Sequence, residues 1–161
     1  IHVMPDFKPQ GLSMLLWGMA SLLVSSEEVV KLAENTASFA VRLAADFAPQ
    51  GASNLLWAYA KLLISNASVD ELAASLPTSA MLSPEGALRR SCNEQDVLNM
   101  LWALTTLRAA LAAGFFEAVA SAEHFAWERL QPQGCAIALW SYARSEKGHL
   151  AGTLPERLTK R

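Results

Sequence analysis

The chain has 161 residues, 52% of them hydrophobic and 17% charged, and its 13 Lys and Arg against 15 Asp and Glu give a formal net charge of −2. That balance excludes a chain too polar to fold, and 2 cysteines exclude a disulfide framework. The longest nearly uncharged apolar stretch, Gly11 to Val24, is shorter than the roughly 18 residues of a membrane span, so no span is expected.

Ile1 to Phe7 read as a lead-in. Pro9 marks a helix start, because a first-turn residue needs no N–H. Leu12, Leu15, Leu16, Met19, Leu22 and Leu23 follow at three-and-four spacing, which predicts a helix from Pro9 to about Val24. Ser25 and Glu28 stand at capping-box spacing and open a second helix, with Val29, Ala33, Ala37, Ala40, Leu43, Ala44 and Phe47 on its apolar side and a bend expected at Asn35-Thr36. Pro49 starts the third, which carries Leu55, Leu56, Tyr59, Leu62 and Leu63. Ser68 and Glu71 repeat the capping spacing and open a helix through Leu76, which Pro77 is expected to stop.

Residues 77–90, with Pro84 and Gly86, read as a loop or one short helical turn, and Arg89-Arg90 as a solvated basic pair. The next helix should run to about Ala113 with Gly114 as its C-terminal cap. A helix over 115–130 places Trp127 in the core and makes His124 and Glu128 a surface pair. Pro132 opens the last strong helix, to about Glu146, and Leu154 to Arg161 reads as a terminal turn.

Four of these helices share one pattern. Each has a Trp, at 17, 57, 102 and 140, with a Gln seven residues before it: Gln10, Gln50, Gln95 and Gln133. The steps of 40, 45 and 38 residues fall in the period range of stacked helical hairpins. The expected fold is therefore all-α, an α-solenoid of about four helical hairpins forming a single array over 1–161, with units near 7–46, 47–91, 92–129 and 130–161, the last incomplete. Cys92 aligns with Phe7, Phe47 and Leu130, and Cys135 with Leu12, Ala52 and Val97, so both are expected as buried thiols without chemistry. Gln50, Asn54, Trp57 and Lys61 share one helical face, as do Gln95, Asn99, Trp102 and Thr106.

No Walker loop, metal-spaced cysteine pair, H-E-x-x-H or G-x-S-x-G is present, and His2, His124 and His149 are scattered over unrelated positions. No enzyme, cofactor or metal is expected. No secretory signal is visible and the first residue is Ile1, so the chain is expected to be a piece of a longer one.

The Pro-Gln-Gly-x-x-Asn-Leu-Leu-Trp-Ala-x-Ala-Lys-Leu pattern, carried by Gln50, Asn54, Leu56, Trp57, Ala58, Ala60, Lys61 and Leu62, resembles the octotricopeptide repeat, a unit of two antiparallel helices. Weaker copies stand at Gln95, Asn99 and Trp102 and at Gln133 and Trp140. The resemblance covers Phe7 to about Lys147 and implies a right-handed superhelix in an organelle, chloroplast or mitochondrion, soluble or peripheral, that binds RNA along a groove. On that reading Gln10, Gln50, Asn54, Lys61, Gln95, Asn99, Gln133 and Arg144 face the RNA, with no DNA specificity, while Trp17, Trp57, Trp102 and Trp140 anchor the units. Met14 and Ile137 take the Asn position in the first and fourth copies. Seven basic residues face twelve acidic ones through Glu123, and six face three beyond it, so few phosphates could be neutralised by the longer part. An alternative function stays open: a scaffold subunit docking on other proteins in a large organellar assembly such as a ribosome or photosynthetic complex.

Overall fold

The computed structural model describes residues 7–22, 26–109 and 112–145. Seven α-helices occur among them: α1 (Pro9–Ser21), α2 (Glu27–Arg42), α3 (Pro49–Leu62), α4 (Ala67–Leu76), α5 (Glu94–Thr106), α6 (Ala113–Ser121) and α7 (Pro132–Arg144). Short 3-10 turns follow α2 and precede α7, at Ala44–Asp46 and Trp127–Arg129. No strand forms among the described residues beyond an isolated antiparallel bridge between Leu82 and Leu88. The all-α expectation holds.

Pro9, Pro49 and Pro132 each open their helix. Several other boundaries differ from the sequence reading. The cap of α2 is Ser26, one residue beyond the expected Ser25, which lies outside the described residues together with the last two positions of the expected first helix. The cap of α4 is Asn66 rather than Ser68, because an extended Asn66 reaches the first turn with its side chain: Oδ1 accepts from the Val69 amide at 3.0 Å. No break occurs at Asn35-Thr36, where the buried Thr36 hydroxyl donates to the Leu32 carbonyl at 2.7 Å inside a continuous helix.

Pro77 does not stop the chain's helical path. The wider turn Pro77–Met81, a π-helical segment, continues it, since a proline that lacks an N–H and crowds the preceding turn is accommodated by a wider register. Gly86, at φ +81°, then turns the chain so that the Ser83 amide donates to the Ala87 carbonyl at 2.7 Å. Arg89 is not simply a solvated cation. Its Nε donates to the Leu82 carbonyl at 2.6 Å and its Nη2 to the Ser79 carbonyl at 3.2 Å, closing this loop.

α5 ends at Thr106, short of Ala113, and Arg108 follows in a left-handed conformation at φ 55°. Gly114 is accordingly no cap; it lies in the first turn of α6. α6 is also shorter than expected, ending at Ser121, so His124 sits in a turn and cannot form a helical surface pair with Glu128. Trp127 is buried, as expected. Cys92 is buried, but Cys135 is only half-buried, so the expectation of two buried thiols holds for one. Burial pushes the Cys92 thiol up to about 11, with the Asp96 carboxylate adding to it, so the reactive thiolate is disfavoured. The expected turn at 154–161 lies outside the described residues.

The helices pack in a regular way. α1 lies on α3, α3 on α5 and α5 on α7, while α2 packs on α4. The contacts between the Trp-bearing helices share one register. A Cβ on Gly51 would lie 3.5 Å from Ser13 Oγ, Ser53 Oγ lies 3.4 Å from Asp96 Oδ1, and a Cβ on Gly134 would lie 3.0 Å from Leu98 Cδ1. In each case a residue six before one Trp meets a residue four before the preceding Trp. Glycine at 51 and 134 lets the backbones approach; the third seam uses Asp96 instead.

Each Trp-bearing helix therefore has distinct sides. One side, Gly51, Leu55, Ala58 and Leu62 on α3, receives the preceding helix; another, Ser53, Leu56 and Ala60, meets the next. Leu16, Leu56 and Leu101 on the second side are fully buried, as are Leu55, Met100 and Ala138 on the first. A third side faces the intervening helix. There the Tyr59 hydroxyl donates to the Ala33 carbonyl of α2 at 3.0 Å and the Tyr142 hydroxyl to the Phe116 carbonyl of α6 at 2.7 Å, each reaching 26 residues back. Phe116 and Tyr142 also meet edge to face, with centroids 5.3 Å apart.

Asp96 is a buried carboxylate at the α3–α5 seam. Its Oδ2 accepts from the Asn93 amide at 3.2 Å while Asn93 Oδ1 accepts from the Asp96 amide at 2.9 Å, a reciprocal cap. Burial raises its pKa, against the opposing pull of the Asn93 amide and the Ser53 hydroxyl. A raised acid binds its proton more tightly folded than unfolded, so its contribution to stability falls as pH rises from about 4 through the folded value. Asp96→Asn removes that titration and keeps an acceptor. In urea unfolding at a series of pH values, the variant should gain on the wild type between pH 4 and 7; a difference independent of pH would show that Asp96 ionises normally.

Candidate binding face

The fourth side of each Trp-bearing helix points outward and carries the polar residues singled out in the sequence. It runs Gln10, Met14 and Trp17 on α1; Gln50, Asn54, Trp57 and Lys61 on α3; Gln95, Asn99 and Trp102 on α5, where the Thr106 hydroxyl that continues the line is buried; and Gln133, Ile137, Trp140 and Arg144 on α7. Spacings of four, three and four residues put them on one helical line, and the close seams bring successive lines together.

All four glutamines are exposed, and Asn54 and Asn99 are half-buried. Their environments differ. Gln95 Nε2 donates to Asn99 Oδ1 at 2.6 Å, so these two amides occupy one another in part. Gln10, Gln50 and Asn54 instead line an open groove of about 690 Å3 between α1 and α3, together with Trp17, Lys8 and Asp46. Nothing in the repeated pattern marked Lys8 or Asp46. They enter because the segments leading into α1 and α3 lie beside the helix starts.

The tryptophans divide into two kinds. Trp57 and Trp102 are half-buried and contact each other across the α3–α5 seam, with ring centroids 6.3 Å apart and planes tilted by 42°. Trp17 and Trp140 are exposed, at 47% and 39%. Trp17 forms a wall of the groove, and Arg144 lies over the Trp140 ring at 5.5 Å in a cation–π arrangement. Lys61 projects from the last turn of α3 and is exposed.

Chemically the face offers primary amides, each both donor and acceptor, beside flat indoles and a few cations. Such groups suit a planar ligand with hydrogen-bonding edges, since an aromatic face stacks while the amides address the rim. Among the described residues no three His, Cys, Asp or Glu side chains group as metal ligands. No described helix is long and apolar enough to cross a membrane. The chain matches no family model, no curated protein and no solved structure.

Proposed function

We propose that the chain is a non-catalytic α-solenoid whose outward face binds single-stranded RNA. The observation that carries this reading is the open groove in which the exposed Trp17 indole stands beside the amides of Gln10, Gln50 and Asn54. Single-stranded nucleic acid is held in this manner, with bases stacked on aromatic rings and their edges met by side-chain hydrogen bonds. Lys8, Lys61 and Arg144 would supply the phosphate contacts. The octotricopeptide resemblance supports the same reading and extends it to an organelle, where such a module would act in gene expression.

The test is fluorescence anisotropy with short labelled RNA at several salt concentrations. Trp17→Ala should weaken binding by roughly 5- to 150-fold, the worth of one stacked base. Lys61→Ala and Arg144→Ala should each weaken it and flatten the salt dependence. Absence of RNA retention at low salt, or binding untouched by all three substitutions, defeats the proposal.

A second reading is favoured by the sparse charge and the exposed apolar residues Met14 and Trp17: a scaffold subunit whose outward face docks on other proteins of a large organellar assembly. That version requires co-purification in fixed stoichiometry after nuclease treatment.

A further inference from the structure

Among the residues lining the α1–α3 groove, Asp46 is the one anion, set among the amides of Gln10, Gln50 and Asn54. It closes the 3-10 turn Ala44–Asp46 and stands four residues before Gln50. The matching residues are Ser91 before Gln95 and Arg129 before Gln133. All three are exposed, and each directly precedes a buried residue, Phe47, Cys92 or Leu130. The position is thus held in register by its neighbour while its own charge changes from copy to copy. It is spared from packing and placed to select a ligand. Among the described residues the ion pair that forms joins Lys31 to Glu27, so Lys8, across the same groove, does not neutralise Asp46.

A carboxylate only accepts hydrogen bonds, and it repels phosphates. In a groove for RNA it gains nothing unless a base presents donors to it. Guanine alone presents two adjacent donors on its Watson–Crick edge, N1–H and the 2-amino group, with O6 and N7 as acceptors beyond them. Adenine and cytosine offer there a single amino group, and uracil a single N–H. Building on the RNA reading of the outward face, we propose that the α1–α3 groove selects guanine, with the Asp46 carboxylate accepting from N1–H and the 2-amino group. Lys8 and the side-chain amides are the donors available to O6 and N7, and Trp17 is the ring on which the base stacks. At about 690 Å3 the groove falls within the roughly 300 to 1,000 Å3 of small-ligand sites, so one base fits it.

The test uses short labelled oligouridylates that carry one guanosine, adenosine, cytidine or inosine, or none, with affinities read by fluorescence anisotropy at low salt. The guanosine RNA should bind roughly 5- to 150-fold more tightly than the adenosine, cytidine and uridine-only RNAs, the worth of a two-point base contact. Inosine keeps N1–H and O6 but lacks the 2-amino group, and should lose most of that advantage. Asp46→Asn leaves the size and exposure of the side chain unchanged, and circular dichroism checks that the helices persist. This variant should bind the guanosine and inosine RNAs alike, an outcome that a merely structural role for Asp46 would not produce. Equal binding of all the RNAs, a preference for another base, or a guanosine advantage that survives in Asp46→Asn overturns guanine selection and leaves the RNA reading standing. Failure of every RNA to bind overturns both.

Discussion

Tyr59→Ala is expected to lower the unfolding free energy by about 3 to 5 kcal/mol, the range for removing a large buried ring. The ring is completely buried, and its hydroxyl, donating to the Ala33 carbonyl, ties α3 to α2. Tyr59→Phe keeps the packing and loses only the hydrogen bond. Because Ala33 lies within α2, where its carbonyl also serves the helix, that variant should lose only about 0.5 to 1.5 kcal/mol. Burial raises the phenol's pKa well beyond the ordinary value of about 10. The unfolded chain therefore releases this proton first, and stability contributed by Tyr59 is lost as pH climbs above about 10. Urea titrations at pH 7 and 11 followed by circular dichroism check both statements. A loss below about 1 kcal/mol for Tyr59→Ala would mean that the α2–α3 contact is dispensable.

The second large effect separates equivalent positions. Leu101→Ala, at the buried α5–α7 seam, should cost about 2 to 5 kcal/mol through lost transfer energy and the cavity left behind. Leu139→Ala makes the same chemical change one copy later, on a side that no described helix covers, and should cost under about 1 kcal/mol in a dilute sample. If the two losses are equal, Leu139 is buried in solution.

The amphipathic spacing and the three prolines placed α1, α3 and α7 with little room for error, because a proline at a helix start and a three-and-four apolar stripe are local properties. The intervening helices were less legible. Asn66 displaced Ser68 as a cap because Asx side chains compete equally well at that point, and Pro77 widened a helix that local chemistry says it should end. The Trp column lies on the outward side of its helices. The residues that latch helix to helix stand two positions later, and the signal was present in Trp57-Ala58-Tyr59 and Trp140-Ser141-Tyr142.

The sequence by itself determined that the chain is helical, where three of its helices begin, and that Gln and Trp recur on one line of four of them. These follow from intervals of three and four residues, which the backbone's own periodicity turns into faces. Only the tertiary structure decided which faces are covered. It joined Gln10, Gln50 and Asn54 in one groove while Gln95 and Asn99 bonded each other, and it paired Trp57 with Trp102 while leaving Trp17 and Trp140 exposed. Burial depends on a neighbouring helix, and at α1 and α7 no described helix lies on one side, so identical positions in the pattern are more exposed there.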